Sequence, residues 1–278
     1  MKRFLLPVFL VASSSAGAIV IRDDVDDAKY RVRPSEFVAL ADMPGEGHGV
    51  LFAPQWVVTV AHAIAWQSEI KEVTIRGVAR AVERIEMHPG YNKPPQALLD
   101  QSLASWDWTL FRSALSMSDD IALVKLAEPV RDVAPVPLYT RDDEFRQVVR
   151  IFGKGATGDG VKGYEFSDSH RTELRRAENK ISSAHGRWFC YVFDAPSEAL
   201  PLEGGAGSGD SGGPILIKTW KKWSVAGLTS WVDAQSSGRT PGRYGQVSCN
   251  VRLSHYADWI KSVMAADAQR PPADPHAK

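Results

Sequence analysis

The chain is short of cysteine, of long apolar runs and of net charge, and each shortage excludes something. Two cysteines, Cys190 and Cys249, in 278 residues allow one disulfide at most, so the fold has to rest on the burial of apolar surface. Beyond the N-terminus no segment approaches the roughly 18 apolar residues of a membrane-spanning helix, so no membrane anchor is expected in the mature chain. Lys plus Arg and Asp plus Glu each number 33, and no net field points to nucleic acid or to an anionic membrane surface. The clusters Asp23-Asp24-Val25-Asp26-Asp27 and Arg175-Arg176 read as solvated faces. No histidine stands at a metal-ligand spacing with a carboxylate or cysteine, so neither a catalytic metal nor a cofactor is expected.

What is present begins with a targeting signal. Met1-Lys2-Arg3, the apolar run Phe4 to Ala12 and the small residues Ala16-Gly17-Ala18 have the layout of a secretory signal peptide over residues 1–18. A secreted or periplasmic mature chain follows; Pro7 and the Ser13-Ser14-Ser15 run argue against a buried amphipathic helix. After it come short apolar runs separated by Gly, Pro and Asp, among them Trp56 to Val60, Ile121 to Leu126, Val148 to Phe152, Ile215 to Ile217 and Val225 to Thr229. Many short strands without alternating helices argue for an all-β fold built on barrels. Near the C-terminus, Tyr256, Trp259, Ile260 and Val263 recur at helical spacing and predict a helix over Ser254 to Ala266. Residues 267–278, rich in Pro, Ala and charge, read as a disordered tail.

Chemistry concentrates in three segments. Gly204-Gly205-Ala206-Gly207-Ser208-Gly209-Asp210-Ser211-Gly212-Gly213, closed by Pro214, sets one serine in a glycine loop whose backbone N–H groups can turn toward a bound carbonyl. A serine there needs a base. Trp56-Val57-Val58-Thr59-Val60-Ala61-His62 runs a β-branched strand into a histidine, and Asp120-Ile121-Ala122-Leu123 opens another strand with a carboxylate. Their chain order is His, Asp, Ser.

These motifs resemble those of the chymotrypsin-like, trypsin-fold serine endopeptidases, from about Ile19 to about Ile260. Thr59-Val60-Ala61-His62 resembles the family's TAAH, Asp120-Ile121-Ala122-Leu123 its DIAL, and Gly209-Asp210-Ser211-Gly212-Gly213-Pro214 its GDSGGP. Weaker support comes from His88-Pro89-Gly90-Tyr91-Asn92, Phe189-Cys190 and Asp258-Trp259-Ile260, and from Gly153-Lys154-Gly155, where a lysine replaces the family's tryptophan. The resemblance implies two Greek-key six-stranded β-barrels, residues 19–131 and 132–266, joined near Ala127 to Pro137, with the site in the cleft between them. It implies a peptide or protein substrate, susceptibility to protein inhibitors, and a monomer.

It also implies roles. His62 is the general base, Asp120 orients it in preference to Asp119, Ser211 is the nucleophile, and the N–H groups of Gly209 and Ser211 form the oxyanion hole. Ser230 hydrogen-bonds the buried carboxylate. Asp210 pairs with a new N-terminus at Ile19, 43 residues before His62, which cleavage after Ala18 would expose; Ile21-Arg22 stands where the family has Gly-Gly. One disulfide between Cys190 and Cys249, on strands side by side near the specificity pocket, is the simplest reading, with two buried thiols as its alternative. Ala63 takes the place of the family's cysteine beside the histidine, so packing alone has to hold that loop.

Substrate selectivity is read from Gly205, Ser230, Trp231 and Val232. Gly205, six residues before Ser211, stands where basic-selective members carry an Asp, and Val232 stands where a Gly opens the pocket. Small or medium apolar side chains before the scissile bond are expected. The opposite wall has two registers: Gly242-Arg243-Tyr244 as the family's G-V-Y, or Val251-Arg252-Leu253-Ser254 as its T-R-V-S, which puts Ser248 and Cys249 in the wall. Between Asn92 and Asp120 lie 27 residues, where relatives have a shorter loop. Their aromatics Trp106, Trp108 and Phe111 form either a wall over bound peptide or the cover of a small satellite core.

Two rivals remain. Gly209 to Gly213 also satisfies the G-x-S-x-G elbow of α/β-hydrolase esterases, but that elbow needs a strand before it and a helix after it, and here a glycine loop precedes and an apolar strand follows. A non-catalytic binding protein on the same scaffold commonly has a substituted triad residue, and this chain has none.

Overall fold

The computed structural model describes residues 19–105, 107–164, 173–234 and 240–270. The expected signal segment 1–18, Trp106 and residues 271–278 of the expected tail lie outside them. The first strand is β1 (Ile19–Ile21). Then come β2 (Leu40–Asp42), β3 (His48–Ala53), β4 (Trp56–Thr59), β5 (Glu72–Ile75) and β6 (Val78–Met87). Helices α1 (Gln96–Ser105) and α2 (Thr109–Ser116) interrupt the run before β7 (Ala122–Leu126). The second half holds β8 (Val148–Gly153), β9 (Thr157–Asp159), β10 (Arg175–His185), β11 (Trp188–Val192) and β12 (Gly204–Gly205). It continues through β13 (Pro214–Thr219), β14 (Lys222–Asp233), β15 (Val247–Arg252) and α3 (Ala257–Ala268).

Two closed six-stranded barrels result, ordered β2-β3-β4-β7-β6-β5 and β10-β11-β15-β14-β13-β8. Counting the strands of each from first to last in the chain, both run 1-2-3-6-5-4 around the barrel, the same Greek-key path twice. Closure pairs the strands on both sides over most of their length and leaves only strand ends as open edge. Strand β1 joins neither barrel: it lies antiparallel to β12 and parallel to β9, so the start of the described chain is clamped onto the second half. Arg175, expected on a solvated face, is instead fully buried and holds the following segment through a two-pronged pair with Asp27, at 2.7 and 2.8 Å.

The strands bury β-branched and aliphatic residues on both faces, one set inside the barrel and the other against what packs on its outside. Val57, Val58, Leu123, Val124 and Leu126 are all at 0% exposure, and burial of each such side chain contributes about 1.5–3 kcal/mol. The same apolar cluster continues into Leu216, Val225, Leu228, Val251 and Leu253 of the second barrel, so the two barrels share a core across their interface. Register then decides where the chemistry can lie. Thr59 pairs with Ala122, which brings the residues just beyond β4 and just before β7 to one end of the first barrel. Pro214 pairs with Leu228, which does the same for the residues before β13 and those after Leu228.

Helix α3 runs to Ala268, two residues past its expected end. Asp267, on its last turn, bonds Arg84 of β6 at 2.6 Å and Lys125 of β7 at 2.5 Å, returning the end of the chain to the first barrel. Cys190 and Cys249 form a disulfide between directly paired positions of β11 and β15. It closes a 59-residue separation beside Trp231, which pairs with Cys249. Cys249→Ala is expected to cost about 2–5 kcal/mol, read as a lower guanidinium midpoint, and an unchanged midpoint would show that the bridge adds nothing to this barrel.

Candidate active site

His62 sits three residues beyond β4, in a short 3-10 turn that the strand's apolar run ends in. Asp120 sits two residues before β7 and is fully buried. Its carboxylate accepts three hydrogen bonds: the His62 backbone N–H on Oδ1 at 2.8 Å, the His62 ring at Nδ1 on Oδ2 at 2.7 Å, and the Ser230 hydroxyl on Oδ2 at 2.6 Å. Two contacts from one residue fix the imidazole in rotation as well as distance, with the proton on Nδ1. The other ring nitrogen, Nε2, stands 2.8 Å from Ser211 Oγ, within reach of a proton transfer. Burial pushes the His62 imidazole down, but the charge and hydrogen bond of Asp120 outweigh it, with Glu46 adding to them, and the net shift is upward from 6.5.

Asp119 turns elsewhere. Its Oδ1 accepts the Tyr256 hydroxyl at 2.9 Å and lies 3.4 Å from Arg187, which ties the loop to α3 and β11 and leaves Asp120 alone on the histidine.

The serine loop is held by its backbone. Ser211 O accepts the His48 N–H at 2.6 Å, Gly212 N–H donates to Thr229 O at 2.8 Å, and Gly213 N–H donates to Asp210 O at 2.8 Å. Gly212 has φ +75°, and a Cβ there would lie 1.9 Å from His48 O, so only glycine fits where the two barrels touch. The N–H groups of Gly209 and Ser211 donate to no acceptor among the described residues, and both residues line the cavity that also holds His62.

Asp210 is buried beneath this loop. Its Oδ1 accepts the Gly155 N–H at 2.8 Å and its Oδ2 the Gly207 N–H at 2.9 Å. Burial pushes its carboxyl upward, opposed by the Gly207 N–H, by His48 and by the N–H groups of Gly155 and Ile19. Ile19 itself is fully buried and carries φ +64°, a left-handed conformation that a β-branched residue takes only under strain.

A cavity of about 1130 Å³ runs along the interface, with Ser211 and His62 in its wall. Ala206, Val232, Ala234, Pro241 and Tyr164 belong to its wall. Ser230 and Trp231 line it too, whereas Gly205 lies one residue behind the wall, buried in β12. Ser248 of β15 stands opposite Val232, but neither Ser248 and Cys249 nor Gly242 to Tyr244 line the cavity, where Pro241 stands instead. Trp66, Leu99, Trp108 and Phe111 line it as well. Phe111 packs on Trp66 at 6.3 Å and on Trp108 at 5.5 Å between ring centroids, so Trp108 and Phe111 of the 27-residue insertion line the cavity while packing on each other and on Trp66.

One cluster carried no signal in the sequence motifs. Lys154 Nζ lies 2.9 Å from Asp42 Oδ2, and Asp42 Oδ1 lies 3.2 Å from His48 Nδ1. These neighbours hold the Asp42 carboxyl well below its ordinary range in spite of burial. The lysine in place of tryptophan thus ties the end of β8 to Asp42 of β2, across the barrels, and Asp42 in turn meets the ring of His48, whose N–H holds Ser211 O. Only its tertiary setting discloses that role.

A family model described as Trypsin matches residues 30–260. Snake venom serine proteinase 14 of Crotalus adamanteus is 33% identical over 160 residues, 53% of this chain and 56% of that protein. The chain spans about half the length of the curated relative it matches. Gly212→Ala is expected to destabilise the protein by about 3 kcal/mol or more, through both the positive φ and the contact with His48 O; a thermal melt within error of the parent would refute that packing account.

Proposed function

The chain belongs to the trypsin family, and on that premise we propose that it is a secreted serine endopeptidase that works through an acyl-enzyme on Ser211. One observation carries the reading: an unbroken relay from Ser211 Oγ to His62 Nε2 at 2.8 Å and from His62 Nδ1 to Asp120 Oδ2 at 2.7 Å, opening on the cavity. The Ser211 proton passes to His62 Nε2 as Oγ bonds the amide carbonyl carbon. The proton then moves to the leaving nitrogen as the C–N bond breaks, and water repeats the sequence in reverse to release the acid. Asp120 stays ionised and stabilises the imidazolium. Charge arising on the carbonyl oxygen is met by the N–H groups of Gly209 and Ser211, each such donor being worth about a hundredfold or more in rate.

Selectivity for small or medium apolar side chains before the scissile bond fits a cavity whose wall includes Ala206, Val232, Ala234 and Pro241, with Gly205 bringing no carboxylate behind them. The aromatic wall of Trp66, Trp108 and Phe111 offers an apolar surface to residues farther along a bound peptide.

Activation runs through Ile19. A carboxylate as buried as Asp210 calls for a cation, and an ammonium on Ile19 N would supply one where a peptide N–H now points. Cutting the bond after Ala18 also deletes the torsion that strains Ile19, releasing about 1–3 kcal/mol. Signal peptidase alone would then produce the active form.

A fluorophosphonate probe is expected to label the secreted protein on one serine, with labelling lost in Ser211→Ala; no labelling of correctly processed protein would sink the endopeptidase reading. Because neutral imidazole is the base, kcat/KM should rise with pH through a His62 pKa above the ordinary 6.5, and Asp120→Asn should cut kcat by about 10⁴. N-terminal sequencing of secreted material is expected to begin at Ile19, and activity to fall at alkaline pH as that ammonium loses its proton; any other start refutes the pairing with Asp210.

A further inference from the structure

The strand beside Ser211 has an open edge. β13 pairs with β14 only as far as Leu228, and at Thr229 the same edge is taken by Gly212 and Gly213 of the serine loop. Beyond that point Trp231 and Val232 pair with β15 on their other side and, among the described residues, with no strand on this one. An unpaired edge next to a nucleophile is where an extended peptide adds itself as another strand. Strand residues repeat every two, so a peptide residue placed opposite Ser230, with its carbonyl at Ser211, sets the residue two before it opposite Val232, about 7 Å along the strand.

That place already has an occupant. Arg112 of α2 donates from Nη1 to Val232 O at 3.2 Å, and its Nη2 lies 3.4 Å from Asp233 Oδ1. The Arg112 side chain is 16% exposed, and it comes from the cavity side, since Arg112 and Val232 both line the cavity. The rest of the helix is pinned to the same barrel. Trp188 Nε1 donates to Ser116 O at 2.9 Å, and Arg187 Nη1 donates to Met117 O at 2.8 Å. The insertion therefore reaches the second barrel at three points, and one of them is a carbonyl that a substrate strand needs.

We infer that Arg112 competes with the substrate backbone for the Val232 carbonyl and so sets how far the enzyme recognises a peptide on the acyl side of the scissile bond. The inference rests on the endopeptidase reading and adds a selectivity to it. A substrate that ends at the residue carrying the reacting carbonyl never meets Arg112. A longer one has to displace a charge-assisted donor in exchange for a peptide N–H, so chain extension gains little, and discrimination falls to the side chains facing the apolar pocket and the aromatic wall.

The test compares an N-acetyl single-residue ester with a tripeptide ester of the same terminal residue, and reads the ratio of their kcat/KM values. Arg112→Met keeps the apolar stem and removes the donor. The ratio of tripeptide to single-residue substrate is expected to rise about tenfold over the parent, the range of one hydrogen bond to a charged donor. Asp233→Asn, which loosens Arg112 and leaves α2's own residues intact, is expected to move the ratio the same way by a smaller factor and serves if Arg112→Met fails to fold. A general structural defect lowers both rates and leaves the ratio where it was. An unchanged or lower ratio in the folded variants overturns the competition and makes Arg112 a support of substrate binding or of the helix. Failure of the parent to hydrolyse even the single-residue ester would instead overturn the endopeptidase reading, and the inference with it.

Discussion

Everything in the cleft is arranged around one buried negative charge. Asp120 has no contact with solvent, and an ionised carboxylate in that position costs several kcal/mol unless its oxygens are fully hydrogen-bonded. Its partners come from both sides of the interface: His62 follows β4 of the first barrel, and Ser230 lies on β14 of the second. The hydrogen bonds that make the charge tolerable also set the distance between the barrels. The register that places Thr59 against Ala122, and the one that places Pro214 against Leu228, exist in the sequence as alternating apolar strands, but their joint consequence is that a base, an acid and a serine meet where neither barrel alone could assemble them.

How much of this could be read beforehand follows the range of the interactions involved. His62, Asp120 and Ser211 were legible because each is embedded in a local pattern whose geometry is local too: a strand running into a turn, a carboxylate opening a strand, a glycine loop; Ser230 came from the family resemblance alone. The barrels were legible for the same reason, since short apolar runs between Gly, Pro and Asp leave little but strands to form. Lys154 was visible as a departure but not as a contact, because its partner Asp42 is 112 residues away and belongs to the other barrel. Gly205 was placed on the cavity by motif position, whereas burial in β12 sets it one residue back. For the insertion, composition left a wall and a satellite core as alternatives, and packing makes Trp108 and Phe111 both at once, with Phe111 buried against Trp66 and Trp108 while all three border the cavity.

The histidine loop shows how a missing covalent link is offset. Ala63 follows His62, and Gly47 lies so close that a Cβ added to it would stand 3.0 Å from the alanine methyl and 3.1 Å from Ser211 O. Two minimal side chains let the backbones of the histidine turn, the His48 strand and the serine loop come together. The hydrogen bonds from His48 N–H to Ser211 O and from Thr59 Oγ1 to His48 O, at 2.6 Å each, then fasten them. Close backbone approach does here what sulfur chemistry does elsewhere, and it tolerates no added volume.

The clasp at Asp267 has a mechanical consequence. Arg84 and Lys125, which grip it, also lie over the ring of Trp56, at the end of β4 away from His62. The last helical turn of a segment that continues the second barrel is thus fastened to the rear of the first, in a setting too sheltered for salt to screen fully. A hinge pinned at its back can open at the front only by bending one of its leaves, so the width of the cleft is a fixed gauge. Whatever enters must fit by yielding itself or by moving the loops at the rim, because the two halves are not free to part.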